Sequence, residues 1–474
     1  MRGFLPSSFG VPSLAVCSIG ATCGVVLALV PALPATAAGR PAGTAVPGST
    51  RSLPLVPLAR ERALGGVPEQ GLYRVGIGRF ALLGVVWDDP RTELRGRVRV
   101  RTRSAATGEW SGWQDVEPDN TDHGADPGTA ERSARQVRGA TAPLWVDSSD
   151  GVDVRVRAEG ADSQGRQSVG ARAALPSGLR LELVAPGGDG DGEAGGETGK
   201  EAETGEAGAA GEALPAGGPA DGPRTDLDTE AAIAASGANS EIAAFGTLAI
   251  PELDRKATEE EMVRLRGESP GKPHIGPRPR IVTRRGWGAD ESLREHGFAY
   301  TEKVKAAFVH HTASGNTYTC AQTPSVIRGI YRYHVKSMGW RDIGYNFLVD
   351  KCGTLYEGRA GGAARAVLGA HTLGFNTDSM GIAVIGTYGT AKPPGKAVTA
   401  IARLTAWKLG LYGVDPRAKT YLTSGGGNLY AKGKNVRLNV ISGHRDGYAT
   451  ECPGKRLYGR LGTARSGAAR YQGR

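Results

Sequence analysis

Apolar and charged side chains alternate strictly in several short runs of the N-terminal half. Leu94-Arg-Gly-Arg-Val-Arg-Val-Arg101 and Val152-Asp-Val-Arg-Val-Arg157 put valine on one face and arginine on the other, the period of a half-buried strand. Phe80-Ala-Leu-Leu-Gly-Val-Val-Trp87 is a longer apolar run of the same kind, and turn-rich stretches separate the three. The pattern predicts an all-β, sandwich-like domain over residues 73–184. Its Trp110, Trp113 and Trp145 suit either a sugar-stacking surface or, as is commoner for tryptophan in a small β domain, core packing.

The C-terminal half mixes two periods. Strand-like runs cover Ala306–His311, Tyr345–Val349, Gly381–Gly386 and Val436–Ser442. Between them, Val326, Ile327, Ile330 and Tyr331 recur at helical spacing behind Thr323 and Pro324, which read as a cap and a first helical residue. Val398, Ile401, Leu404 and Leu411 mark a second helix. Strands interspersed with helices predict an α/β domain with a central mixed sheet flanked by helices.

Composition separates these two regions. The 474 residues include 72 glycines and 28 prolines, which suits compact domains joined by unstructured segments. Between Gly187 and Glu230 there are twelve acidic residues, two basic ones and no aromatic, in a matrix of glycine and alanine; this predicts a self-repelling tether. The whole chain carries +10, so removing the tether's −10 leaves +20 on the rest. Such a surface favours adhesion to an anionic cell envelope; without interleaved aromatic and basic stripes it does not predict nucleic-acid binding. Residues 185–280 as a whole read as this tether followed by a Pro-rich spacer, with one short helix around Glu259-Glu-Glu261.

The N-terminus bears on the compartment. Arg2 precedes an apolar run containing Val25, Val26, Leu27 and Leu29, and Ala35-Thr36-Ala37 fits a signal-peptidase site, which predicts a signal peptide over 1–37 and a disordered lead over 38–72. No later segment has the apolar length of a membrane span, so stable insertion after cleavage is not expected. Of five cysteines, Cys17 and Cys23 leave with the leader; Cys320, Cys352 and Cys452 remain, an odd count that suits one disulfide plus one thiolate otherwise employed.

Three zinc-ligand types fall in the C-terminal region. They are His310 or His311 at a strand end, His444 in Gly-His-Arg-Asp and Cys452 in Glu-Cys-Pro-Gly. Neighbouring strand residues point to opposite faces, so only one of the two histidines is expected to reach the metal. His444 and Cys452 bracket a loop short enough to bring its ends together. Two imidazoles and a thiolate leave one tetrahedral corner open, the arrangement of a hydrolytic zinc. Tyr345 and Thr450 carry hydroxyls able to stabilise an oxyanion.

These motifs lie within a wider resemblance. Ile281-Val-Thr-Arg-Arg-Gly-Trp-Gly288, Phe308-Val-His-His-Thr-Ala313, Gly339-Trp-Arg-Asp-Ile-Gly-Tyr-Asn-Phe347, Tyr356-Glu-Gly-Arg359 and Gly369-Ala-His-Thr372 resemble peptidoglycan recognition proteins, which group with type-two N-acetylmuramoyl-L-alanine amidases. Gly374-Phe-Asn376, Ser379-Met-Gly381, Gly443-His-Arg-Asp446 and Thr450-Glu-Cys-Pro-Gly454 continue it in order. The resemblance implies His310, His444 and Cys452 as zinc ligands and Tyr345 as catalytic tyrosine. Thr450 stands where phage members have lysine and amidase-active recognition proteins often have threonine. It also implies Trp340, Arg359, His371 and Asn376 as muropeptide contacts, with His311 beside them.

One departure from the family pattern concerns cysteines. Animal members close a small loop with two cysteines a few residues apart, whereas Cys320 has no such neighbour and Cys352 is its available partner. The expectation is a secreted, cell-wall-associated, monomeric zinc amidase acting on peptidoglycan through a domain over 281–465, with a flexible tail over 466–474. The alternative is a non-catalytic recognition protein.

Overall fold

The computed structural model describes residues 47–58, 68–118, 122–134, 136–159, 174–188, 227, 229–267 and 273–474. The expected signal peptide and most of the acidic tether lie outside the described residues. Among the described residues, no helix is long and apolar enough to cross a membrane.

The N-terminal domain is all-β and antiparallel, as its alternating pattern predicts. Two long strands, Glu69–Trp87 and Leu144–Ala158, pair with each other and carry the rest of an eight-stranded sheet. Val98, Val100, Val152, Val154 and Val156 are buried, and the arginines between them face outward. The sheet starts before residue 73, in part of what reads as the disordered lead. Ser49–Pro54 pairs antiparallel with Arg180–Ala185, since Leu53 joins the apolar face beside Leu181 and Leu183. Of the three tryptophans only Trp145 is buried in a core. Trp113 lies under Arg99, Arg101 and Arg155, whose guanidinium carbons sit 4.9–5.3 Å from the ring centre.

The C-terminal domain is built on a seven-stranded mixed sheet. Its order is Ile441–Gly443, Ala306–His311, Ser379–Val384, Phe347–Val349, Leu355–Glu357, Ile281–Val282 and Ala249–Ile250. The first four strands are mutually parallel. Their residues are buried on both faces, which is why they read as apolar runs rather than alternating ones. Phe347, Val349, Ile382 and Val384 meet the helices Gly395–Gly410 and Leu461–Gln472. Leu348 and Ala383 face the other way, toward Val326, Ile327 and Ile330 of the helix Thr323–Arg332. Each of those three helical side chains, fully buried, contributes about 2 kcal/mol by the area removed from water.

The helix Thr323–Arg332 is covered in turn by the N-terminal domain. Leu82, Val86, Trp145 and Val184 share its apolar cluster, and the Tyr333 hydroxyl donates to the carbonyl of Thr141 at 3.1 Å. The helix begins at Thr323 with Pro324 in its first turn; Thr319, not Thr323, is the capping side chain, closing the preceding turn Cys320–Gln322. Cys320 is bonded to Cys352, across a separation of 32 residues. A loop of that length contributes about 3 to 4 kcal/mol by the chain-entropy estimate.

Two further segments are more ordered than composition suggests. From Glu230 onward the stretch read as linker and spacer holds two helices and the edge strand Ala249–Ile250. Asn239 anchors it by donating to both carboxylate oxygens of Glu357, at 3.0 and 2.9 Å. The expected tail is helical to Gln472, because Ala464, Ala468 and Ala469 bury a small-residue face against the helix Gly395–Gly410.

Candidate metal centre

Register alone places two histidines side by side. Val309 pairs with Gly443 in adjacent parallel strands, so His310 and His444 are the next residues of neighbouring chains at their carboxyl ends. In open α/β sheets that edge is where ligands gather. The two ring centres are 4.5 Å apart. Gly443 has no room for a side chain, since a Cβ there would sit 2.6 Å from the Tyr458 ring. The chain then turns through His444–Asp446, and Arg445 donates its amide to the Cys452 carbonyl at 3.1 Å, which folds Cys452 back under the strand. Its Sγ lies 3.8 Å from Nδ1 of His310.

A fourth donor completes the group, and it comes from the N-terminal domain. His123, His310, His444 and Cys452 are all buried, and one potential ligand atom from each lies within 4.8 Å of all the others. A donor so placed would take the corner that two imidazoles and a thiolate leave open. The hydrogen bonds show which atoms face the centre. His123 donates through Nδ1 to Asp122 at 2.7 Å and leaves Nε2 without a partner. His444 sets Nε2 3.2 Å from the Asp122 carbonyl, and its Nδ1, without a hydrogen bond, lies 3.6 Å from the Asp122 carboxylate. Nε2 of His310 rests 3.3 Å from Nδ1 of His371. Each ring thus has one nitrogen held by a neighbouring group and the other without a closer hydrogen bond than the 3.8 Å contact from His310 to Cys452, the pattern by which outer groups orient metal-binding histidines.

Electrostatics agree with a cation at this point. Burial, followed by the neighbouring imidazoles, holds His310 neutral, and burial pushes His444 down to about 3 despite Asp122. Neutral imidazoles bind metals. Burial and the Asp122 charge push the Cys452 thiol well up, so its thiolate requires a positive partner. Three nitrogens and one sulfur suit zinc among divalent ions.

The remaining predicted residues surround this cluster. Tyr345 is buried with its ring centre 5.5 Å from that of His310, and burial keeps its phenol protonated. Thr450 accepts from the Cys452 amide at 3.2 Å, at the edge of the group. His311, on the other side of the strand from His310, accepts from the Tyr388 amide at 3.2 Å and sets Nε2 3.5 Å from Glu117. His371 is fully buried behind His310. Asn376 accepts from the His371 amide at 2.7 Å. Trp340 and Arg359 are buried beneath residues of the N-terminal domain.

Three buried residues of this neighbourhood escape the sequence reading. Asp122 and His123 sit in a polar, turn-rich stretch with nothing to mark its neighbour in space. His334 packs its ring 4.5 Å from Trp340 and 5.7 Å from Tyr345, and accepts from the Gly344 amide. Helical spacing from Ile327 and Ile330 was its available signal.

An α/β domain with three imidazoles and a thiol buried together at the carboxyl edge of its sheet is a candidate metal-binding domain. The profile described as "N-acetylmuramoyl-L-alanine amidase" matches residues 300–455, and that described as "Rv3811 N-terminal galactose-binding domain-like" matches residues 37–175. Peptidoglycan-recognition protein SC2 of Drosophila simulans is 31% identical over 183 residues, 39% of this chain and 85% of the relative. Peptidoglycan recognition protein 1 of Bos indicus is 32% identical over 179 residues, 38% of this chain and 80% of the relative. Among solved structures, Drosophila PGRP-LB is 27% identical, with 39% of this chain and 93% of that one covered and a TM-score of 0.31. The chain belongs to the peptidoglycan-recognition protein family.

Proposed function

We propose that the protein is an exported zinc amidase that hydrolyses the amide joining N-acetylmuramic acid to L-alanine in peptidoglycan. The observation that carries this reading is the convergence of His310, His444 and Cys452 on one point beside Tyr345. Membership of the recognition-protein family supports peptidoglycan as the ligand. The leader-like N-terminus supports export, and the basic charge outside the tether supports retention on an anionic wall.

His310, His444 and Cys452 would hold the zinc, which when bound supplies a Lewis acid and an acidified water. The chain's own groups do the rest. His371 and Thr372 lie on Nε2 of His310, fixing that ring with Nδ1 toward the centre. Tyr345, kept protonated by burial, donates to the oxygen that gains charge as the amide carbon becomes tetrahedral. Arg359, Asn376 and Trp340 supply a cation, an amide and an aromatic face for the glycan-peptide. His334, also held neutral by burial, backs Trp340 and Tyr345 and sets their spacing.

The test is incubation of zinc-loaded protein with muropeptides and detection of free stem peptide by mass spectrometry. Release that scales with bound zinc and vanishes in Cys452→Ala is expected. One zinc per chain with no stem peptide freed, by either the wild-type chain or His123→Ala, would overturn the proposal. That result would favour a non-catalytic recognition protein, the reading to which a set of four protein donors lends weight.

A further inference from the structure

The N-terminal domain sends one turn, Asp122–Asp126, into the metal-bearing edge of the other domain. A zinc surrounded by four protein donors has no corner for water, the condition of structural sites, whereas hydrolytic sites keep one open. His123 is the donor that is foreign to the catalytic domain. It is also the best prepared, with Nδ1 fixed on Asp122 and Nε2 bare and buried.

The residues around His123 cover the candidate groove. Glu131 takes both terminal nitrogens of Arg359, at 2.8 and 3.0 Å. Asn376 donates to the Gly124 carbonyl at 2.9 Å and to Asp126 at 2.6 Å. Gly124 donates its amide to the Ala370 carbonyl and lies against Trp340, with a φ of +122° that glycine adopts without strain. The Leu373 amide donates to the Asp122 carbonyl at 2.9 Å. Arg359, Asn376 and Trp340 are thereby engaged by this segment of the chain itself.

Resting on the amidase reading, we infer that the protein is a latent enzyme: His123 is a displaceable fourth metal ligand, and Asp122–Glu131 is an internal stand-in for substrate. Activity then equals the intrinsic rate multiplied by the fraction of molecules in which the segment has left. The hydrogen bonds and ion pair that seat the segment are contacts that water can replace on release. Three of its anchors, Asp122, Asp126 and Glu131, are acidic, so a polyanion such as the wall competes for the same donors.

Cobalt(II) substituted into the full-length chain reads the coordination independently of turnover. Azide, a small exogenous ligand, is expected to leave the visible spectrum of the wild-type protein unchanged and to shift that of His123→Ala. The variant should bind metal more weakly by at least the roughly ten- to hundredfold typical of a lost supporting contact, yet release stem peptide at least about tenfold faster at saturating zinc. Glu131→Ala touches no ligand and should give a partial azide response, which covers a folding failure of the first variant. Azide shifting both spectra equally would overturn the inference, as would loss of all metal in His123→Ala with azide silent in Glu131→Ala. An azide response in His123→Ala without cleavage would sink the amidase reading and leave the displaceable ligand standing.

Discussion

Glu131 and Arg359, 228 residues apart in the chain, form a buried two-pronged ion pair. Burial raises the Glu131 carboxyl, and the charge and hydrogen bonds of Arg359 more than offset this, so the group is held below its ordinary range. Removing one partner of such a pair costs roughly 3 kcal/mol, because the other is left buried and alone. Here the stranded Arg359 is rehydrated once the segment Asp122–Glu131 leaves, so the cost shifts an opening equilibrium. Glu131→Ala should therefore raise amide exchange across Asp122–Glu131 by on the order of a hundredfold, leaving the strands Ala306–His311 and Ser379–Val384 protected. Exchange mass spectrometry checks this; in wild-type protein the Glu131 contribution should begin to fade as pH falls below about 4.5, its ordinary value, and be gone only at the lower pH where the depressed carboxyl itself takes a proton.

Cys452→Ala removes the one sulfur donor. The thiolate is the one anionic donor among the four, the others being imidazoles. Zinc affinity, measured by competition with a chromogenic chelator, should fall by more than the ten- to a hundredfold typical of lost supporting contacts, and stem-peptide release should vanish with it. Unchanged affinity would place the metal elsewhere.

How much of this was legible depended on whether the signal was local. The strand Ala306–His311 was bounded correctly because a doubly buried strand is a continuous apolar run with sharp polar ends. Residue type and spacing point to His444, Cys452 and one of His310 and His311; the resemblance to recognition proteins selects His310, and the structure brings these three together. The segment 230–280 was underestimated because many of its apolar residues are alanines in short helices and its order comes from contacts such as Asn239 with Glu357, 118 residues away. His123 was invisible for a related reason. A histidine in a polar turn becomes a metal ligand only through the packing of one domain on another, and the residues that dictate that packing, Leu82, Trp145 and Val184, look like ordinary strand core.

Tyr345→Phe separates chemistry from binding. The phenol ring packs between His310, His334 and His123, so phenylalanine keeps the shape and the metal. Only the donor to the developing oxyanion is lost, which costs about a hundredfold in turnover. The comparison belongs in the His123→Ala background, where the groove is open, with zinc content measured beside the rate. Equal rates would remove Tyr345 from the reaction.

Glu357 gives a pH signature away from the metal. Burial raises its carboxyl to about 7 against an ordinary 4.5, with Asn239 and Arg284 only partly opposing. Between those two values the folded chain holds a proton that the unfolded chain has released, so stability falls as pH rises through that window. The contribution, on the order of 3 kcal/mol, is fully present below about pH 4.5 and gone above about pH 7. Gln at this position cannot titrate. Denaturant unfolding of Glu357→Gln across pH 5 to 8 should therefore lack that decline, and the difference in slope is the readout, since the amide also alters the bond from Asn239. Parallel slopes for the two proteins would mean that the Asn239 and Arg284 contacts hold Glu357 ionised throughout.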